Sequence, residues 1–251
     1  MHEEIHGTTM PVLSVHLDPG ESVVAEVGEF SWMTDSIQMS TCTGGGADGE
    51  SLMGALKHVV GSPPLRMSTY TAQGAPGTVS FASKVPGSIL PVDVGPGTEY
   101  MVHRHGFLAG TSGIEISACF QQPFRAGIFA GEGFALQRIG GQGRAWAELS
   151  GHVIPHELAP GQSLRVQPGH VGMFQASVSF QVVRVPGIAN RYFGGNAHYF
   201  AELSGPGTVW LQSMPLPQLA ASLAPYLPAA QDRPEPVEGG LVGGIIGDLL
   251  T

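Results

Sequence analysis

The chain has little charge and almost no cysteine. Asp, Glu, Lys and Arg make up only 12% of its 251 residues, whereas an ordinary globular domain carries about a quarter. The formal net charge is −9, and no run of Lys and Arg offers a local exception, so we expect no nucleic acid partner. Cys42 and Cys119 are too few for a disulfide framework and lack metal-ligand spacing. We therefore expect both to be reduced.

Long apolar runs are also missing. No stretch reaches the ~18 consecutive apolar residues of a membrane-spanning helix, and the first residues, MHEEIHGTTM, are acidic where a secretory signal is apolar. We therefore expect a cytoplasmic protein. Because charge is scarce and mean hydropathy is +0.12, a monomer would have too few polar groups to cover its surface. We expect part of that surface to be buried between subunits of a homo-oligomer.

Glycine and proline are abundant, at 37 and 20 residues, and they mark three similar turns. The turns are LDPG at 17–20, VGPG at 94–97 and LAPG at 158–161. Seventeen residues after each turn glycine an alternating segment begins: IQMST, IEISACF or VSFQVVRV. A second turn, GAPGTVSF, GGQGRAWA or SGPGTVWL, then leads into a further strand. Period-2 alternation at matched positions predicts strands in three related units.

These repeats predict an all-β fold of three β-sandwich or double-stranded β-helix units around a pseudo-threefold axis. We expect an N-terminal tail over 1–10, a β domain over 11–227, and a linker with an apolar, glycine-rich tail over 228–251. The predicted repeats run approximately over 11–91, 92–155 and 156–215. The first contains extra residues, in which Asp48 is a possible N-cap of a short inserted helix. A second short helix is predicted at 216–226.

Four longer segments carry a family resemblance: MGALKHVVGSPPLRMSTYTAQGAPGTVSFA, PGSILPVDV, GIFAGEGFALQRIGGQGRAWAELSG and LAPGQSLRVQPGHVGMF. In order and spacing they resemble the altered-inheritance-of-mitochondria (mitochondrial biogenesis) family, over roughly residues 11–225. The resemblance implies a fold similar to the tryptophan RNA-binding attenuation protein, with repeated β units in rings or trimers. It implies no catalytic residue for this chain. For mitochondrial members it points to inner-membrane organisation, whereas bacterial members, among which we expect this protein, mostly lack an assigned biochemical function.

Two histidines in GTEYMVHRHG, His103 and His105, suggest a metal site. A glycine, five residues and His-x-His open the first metal motif of cupin enzymes, and alternate residues of a strand point the same way. The carboxylate expected shortly after His105 is missing, and the later candidates His152 and His156 lack the expected glycine and proline spacing. In the repeat alignment HRH forms a turn that closes a strand. We predict no metal and no cofactor, with a cupin-like metalloenzyme using these four histidines as the alternative.

No catalytic motif is complete. The chain has neither G-x-S-x-G nor a P-loop, and GIFAGEG does not match a dinucleotide fingerprint. We therefore predict a non-catalytic oligomeric scaffold, or a ligand- or partner-binding protein, that forms a trimer or ring. An RNA-binding ring using Arg125, Arg138 and Arg144 is a second alternative, which the net charge disfavours.

Candidate interaction residues fall in an aromatic segment and in the apolar tail. They are Tyr192, Phe193, Tyr199, Phe200, Leu241, Val242, Ile245, Ile246, Leu249 and Leu250. Exposed aromatic side chains can anchor a partner. The tail is expected to contact a protein partner or a membrane surface.

Overall fold

The computed structural model describes residues 1–42, 66–122, 134–184 and 199–227. Within them the chain forms nineteen strands and one short α-helix near its C-terminal end. The strands are β1 (His2–His6), β2 (Val12–Leu17), β3 (Ser22–Glu26), β4 (Trp32–Met33), β5 (Ile37–Cys42), β6 (Met67–Ala72), β7 (Gly77–Ala82), β8 (Gly87–Val94), β9 (Tyr100–His103), β10 (Phe107–Thr111), β11 (Ile114–Gln122), β12 (Phe134–Gly141), β13 (Gly143–Ser150), β14 (Val153–Leu158), β15 (Ser163–Val166), β16 (Val171–Gln175), β17 (Ser179–Arg184), β18 (Tyr199–Ser204) and β19 (Gly207–Gln212). The prediction of an all-β fold is confirmed.

The helices in the described ranges are few and short. Helix α1 (Leu216–Leu223) continues into a 3-10 turn at Ala224–Tyr226, which confirms the predicted C-terminal helix. Another 3-10 turn spans Pro168–His170. The predicted inserted helix near Asp48 lies outside the described residues. In the part of the chain that the structure describes, no helix is long and apolar enough to cross a bilayer.

The strands form four sheets with antiparallel neighbours. The N-terminal sheet has the order β1-β2-β7-β4, and the C-terminal sheet has the order β15-β18-β17. Between them in the chain, the first central sheet is β5-β6-β3-β10-β13-β8 and the second is β11-β12-β9-β16-β19-β14. Each central sheet therefore combines strands that are far apart in sequence.

One set of pairings recurs along the chain after β1. β2, β8 and β14 pair with β7, β13 and β19, respectively, and β4, β10 and β16 pair with the opposite edges of the same three strands. Likewise, β6, β12 and β18 each lie between two partners, β3 and β5, β9 and β11, or β15 and β17. We refer to 12–82, 87–150 and 153–212 as the first, second and third strand groups. Their arrangement around a pseudo-threefold axis stays a prediction.

The predicted repeats stay a prediction, and their boundaries differ from those of the strand groups by a few residues. The boundary at 91/92 falls inside β8, and that at 155/156 falls inside β14. The reason is the position of the proline-glycine turn, which follows the first strand of each group rather than opening the group. Gly20, Gly97 and Gly161 in these turns have φ angles of 88°, 78° and 82°. Glycine adopts this left-handed conformation without the Cβ penalty of other residues.

The predicted N-terminal tail is wrong, because residues 2–6 form a strand. β1 pairs with the free edge of β2, in a register that runs from His2 opposite His16 to His6 opposite Val12. The Met1 ammonium lies 2.7 Å from the Glu21 carboxylate. Most β1 residues are exposed, so the strand needs no alternating apolar pattern. Backbone pairing and a few polar contacts place it, and these leave little signal in sequence.

The cores follow the period-2 pattern of the strands. Leu13, Val15 and Leu17 alternate with polar residues along β2 and are at most 1% exposed. β13 is buried on both faces, since Trp146 packs in a cluster with β2 and β7, whereas Leu149 packs in a cluster with β8 and β9. A further apolar cluster joins β16, β18 and β19.

Candidate functional site

The two histidines of the cupin hypothesis lie at the end of β9. His103 is the last residue of that strand, and His105 follows in the turn with a φ of 67°; HRH is thus the predicted closing turn. The His103 ring nitrogens face backbone carbonyls, with Nδ1 2.6 Å from the Arg104 oxygen and Nε2 3.3 Å from the Glu148 oxygen. Burial lowers the pKa of His103, and the two carbonyls partly oppose that effect.

The remaining two cupin candidates lie on β14 and just before it. His156 is on β14 opposite Val209, and His152 is exposed in the turn before this strand. Across the described ranges, none of His103, His105, His152 and His156 belongs to a group of three potential ligand side chains whose donor atoms lie within 4.8 Å of one another.

One such group does occur on β1 and β2, where His2, Glu4 and His16 converge. His2 and His16 are directly opposite each other across the strand pair, and their rings stack with centroids 4.3 Å apart and planes 13° apart. Glu4 Oε1 lies 3.9 Å from His2 Nε2, and Glu4 Oε2 lies 3.9 Å from His16 Nε2. A cleft of ≈ 300 Å³ adjoins the two rings and is also lined by Thr34 and Thr78.

A second polar cluster lies between strand groups and includes two buried carboxylates. Lys84 Nζ lies 2.5 Å from Glu29 Oε1, and the Lys84 backbone amide donates to Glu148 Oε1 at 3.2 Å. Glu29 and Glu148 are 6% and 7% exposed. Burial raises the pKa of Glu148 and of Glu26, and the Glu29 carboxylate adds to both effects. These side chains link β3, β13 and the segment before β8, so we assign them a structural role.

A third candidate consists of two strand edges, those of β4 and β15. The equivalents of β4, which are β10 and β16, pair on both sides, and so do the equivalents of β15, which are β3 and β9. Among the described residues, β4 pairs only with β7, and β15 only with β18. An unused strand edge presents unpaired backbone N–H and C=O groups.

The two strand pairings that join neighbouring groups, β3 with β10 and β9 with β16, have the same register. Ala25 and Val102 each lie five residues after the turn glycine of their group, and they pair with Ala109 and Met173 of the following group. The equivalent position on β15 is Val166.

The partner positions are also equivalent. Trp32, Ala109 and Met173 each pair with the fourth residue of the last strand in their group. Ala109 and Met173 are fully buried, whereas Trp32 is 53% exposed. Its neighbour Met33 is 36% exposed, although the equivalent Phe174 is 2% exposed. The apolar side chains of β4 are therefore exposed, whereas those at the equivalent positions of β10 and β16 are buried.

The predicted interaction residues are mostly beyond what the structure describes. Tyr199 begins β18 and is 37% exposed, and Phe200 is half-buried opposite Val183. The other eight lie outside the described residues: Tyr192, Phe193, Leu241, Val242, Ile245, Ile246, Leu249 and Leu250.

The arginines of the RNA-binding alternative contact carboxylates. Arg138 bonds to Glu99, and Arg144 lies 2.7 Å from Glu3 and 3.2 Å from Asp93. Arg125 lies outside the described residues. These ion pairs reduce the positive charge that phosphate groups would meet.

Sequence reasoning missed both the histidine cluster and the β4 edge. The alternation of His2, Glu4 and His6 is a period-2 signal, but it is polar throughout, as a tail would also be. His16 could be added only from the strand register. Trp32 lies in a two-residue strand, which is too short for periodicity to reveal.

Comparisons with known proteins agree with the fold. A protein of Streptococcus pyogenes, itself uncharacterised, is 23% identical over 224 residues, which cover 88% of this chain and 89% of that protein. The crystal structure of a Streptococcus pyogenes protein matches with a TM-score of 0.70 at 20% identity, covering 90% of this chain and 99% of that one. The model of the family described as mitochondrial biogenesis AIM24 matches residues 3–214. The chain therefore belongs to the mitochondrial biogenesis AIM24 family.

Proposed function

We propose that the protein is a non-catalytic cytoplasmic scaffold whose chains associate head to tail, with β4 of one chain pairing with β15 of the next. The observation that carries the proposal is the exposure of Trp32 at a position where Ala109 and Met173 are fully buried. In both of those cases a strand equivalent to β15 covers the position. A second copy of the chain offers that strand with an edge that no described strand occupies.

The existing contacts specify the register of the proposed interface. Transferring the β3–β10 and β9–β16 pairings places Trp32 opposite Val166, Met33 opposite Arg165, and Thr34 opposite Leu164. Burying the exposed half of one tryptophan, about 100 Å², contributes roughly 2.5 kcal/mol. Backbone hydrogen bonds between the two edges would add to this and remove two aggregation-prone edges.

The proposed interface is heterologous, because two different edges meet. Such contacts generate a closed ring when the rotation between subunits closes, and a filament when it does not. The low charge content of 12% supports extensive burial between chains. We propose the closed case, a ring of three or more chains, in which partner proteins or a membrane surface would bind to the assembled scaffold through the C-terminal tail.

The first experiment measures assembly size. Native mass spectrometry of the untagged wild-type protein should show a trimer or larger ring. Trp32→Lys places a charge at the interface without disturbing a buried site and should yield monomers. Met39→Lys is the matched control, because Met39 is 48% exposed on β5 and lies outside the proposed pairing. A wild-type monomer at micromolar concentration would refute the proposal.

Cysteine cross-linking tests the register and separates pairing between chains from pairing within one chain. In a background with Cys42 and Cys119 replaced by alanine, Met33→Cys with Arg165→Cys places two thiols directly opposite. Opposite Cα atoms in antiparallel strands lie about 4.5–5.5 Å apart, which a disulfide spans. The control pairs Met33→Cys with Ser163→Cys, two residues out of register.

Oxidation should then give a ladder of covalent oligomers for the in-register pair and little product for the control. A cross-linked monomer would instead show that β4 and β15 of one chain pair with each other, as a closed pseudo-threefold arrangement requires. That result would overturn the head-to-tail assembly. Absence of any cross-link in the in-register variant would contradict the pairing itself.

A further inference from the structure

We infer that His2, Glu4 and His16 bind one zinc ion on the outer face of the N-terminal sheet. Two strands bring the three side chains together: His2 and Glu4 are alternate residues of β1, and His16 lies opposite His2 on β2. Alternate residues of a strand project on the same face, and directly paired residues share it. The strand register thus assembles three donors from two separate segments of the chain.

The donor spacing fits a small tetrahedral ion. In a tetrahedral site with zinc–nitrogen and zinc–oxygen distances near 2.1 Å, neighbouring donors are about 3.4 Å apart. Glu4 oxygens lie 3.9 Å from both His2 Nε2 and His16 Nε2, and the donor atoms of all three residues are within 4.8 Å of one another. Coordination requires the Glu4–histidine distances to shorten by about 0.5 Å and the distance between the two imidazole donors by up to about 1.4 Å. The stacked rings must also turn toward one ion, which exposed His2 and Glu4 permit by side-chain rotation.

His16 is prepared as a ligand by its neighbour. Its Nδ1 lies 2.9 Å from the Thr78 hydroxyl, whereas its Nε2 is buried and has no hydrogen-bond partner among the described residues. When Nδ1–H donates to Thr78, Nε2 carries the lone pair that a metal requires. Metal-binding histidines commonly use their second nitrogen in this way, which fixes the tautomer and the ring orientation.

The donor set identifies the class of ion. Two imidazole nitrogens and one carboxylate suit zinc and neighbouring divalent transition metals, whereas calcium and magnesium prefer oxygen alone. Three protein ligands leave a coordination position for water or another small ligand. The cleft lined by His2 and His16 adjoins this position. His6 Nε2 lies 3.3 Å from Glu4 Oε2 and holds that carboxylate from the other side.

The same geometry would also arise from histidines that simply pair with an exposed glutamate, so the test must distinguish binding from pairing. Untagged, chelator-treated protein is titrated with zinc chloride by isothermal calorimetry, and stoichiometry is checked by native mass spectrometry. Cobalt(II) substitution supplies an independent readout, because a tetrahedral nitrogen-oxygen site gives intense visible bands. Circular dichroism verifies that each variant is folded.

We expect one zinc ion per chain. His16→Gln and Glu4→Gln should each weaken binding at least tenfold and abolish the cobalt bands, and Thr78→Val should weaken it about tenfold by freeing the imidazole. His152→Gln is the matched control, since it removes an exposed histidine far along the sequence. Trp32→Lys should bind zinc normally, which separates this site from the proposed assembly. Wild-type protein without zinc affinity, or His16→Gln and Glu4→Gln variants that bind as wild type does, would overturn the assignment.

Discussion

Replacing Trp146 by alanine tests how the two faces of β13 are buried. The side chain is fully buried and packs in the cluster formed with β2 and β7. A tryptophan of this kind buries about 200 Å², and at about 25 cal/mol per Å² its removal costs roughly 5 kcal/mol. Its indole nitrogen has no hydrogen-bond partner among the described residues. Removing an unpaired buried donor stabilises the fold by about 1–3 kcal/mol, which offsets part of that cost.

The expected net loss for Trp146→Ala is therefore about 2–4 kcal/mol, which corresponds to a fall of roughly 5–15 °C in Tm for a protein of this size. Trp210→Ala is the matched comparison, because Trp210 occupies the equivalent position on β19 and is only half-buried. Trp210→Ala should lower the free energy of unfolding by about half as much as Trp146→Ala does. Urea unfolding followed by far-UV circular dichroism measures both without depending on tryptophan fluorescence. A loss at Trp146 no larger than that at Trp210 would refute the burial argument.

Two further predictions concern titratable groups. Burial raises the pKa of Glu148 above its usual value of 4.5, so the folded chain holds this proton more tightly than the unfolded chain, and stability falls as the pH rises through that range. Glu148→Gln should therefore stabilise the fold at pH 8, by about 1.4 kcal/mol for each unit of elevation, and change it little at pH 4; equal destabilisation at both pH values in urea unfolding would contradict this. Although Cys119 is exposed, desolvation of its sulfur beside Met101 and Leu136 raises the pKa of the thiol to about 11, so in a Cys42→Ser background its alkylation by iodoacetamide at pH 8 should be roughly ten- to a hundredfold slower in the folded protein than in urea. Similar rates in the two states would show that the thiol is not protected.

Most strands could be predicted from sequence because their signals are local. The alternating segment IEISACF lies within β11, and the glycines of the second turns at 77, 143 and 207 are the first residues of β7, β13 and β19. A left-handed turn residue and a period of two both act over a few residues.

Long-range pairing explains what the sequence did not reveal. Nothing near His2 indicates that His16 lies opposite it, because that contact depends on the register of two strands. The pairing of β3 with β10, which joins residues about 85 apart, likewise has no local signature. Glu148 lies two residues after Trp146 on the same face of β13. The sequence pattern of this segment indicates a strand, but it does not indicate which carboxylates are buried beside Glu148.

The three strand groups share one pattern of strand pairing but are not separable domains. Because each central sheet takes half of its strands from one group and half from the next, cutting the chain between β13 and β14 would split the second central sheet rather than release an independent module. An excised group would lose the neighbours of its own strands and expose apolar surface on two sides. Limited proteolysis should accordingly leave the groups together, and unfolding should proceed as one cooperative event rather than as three.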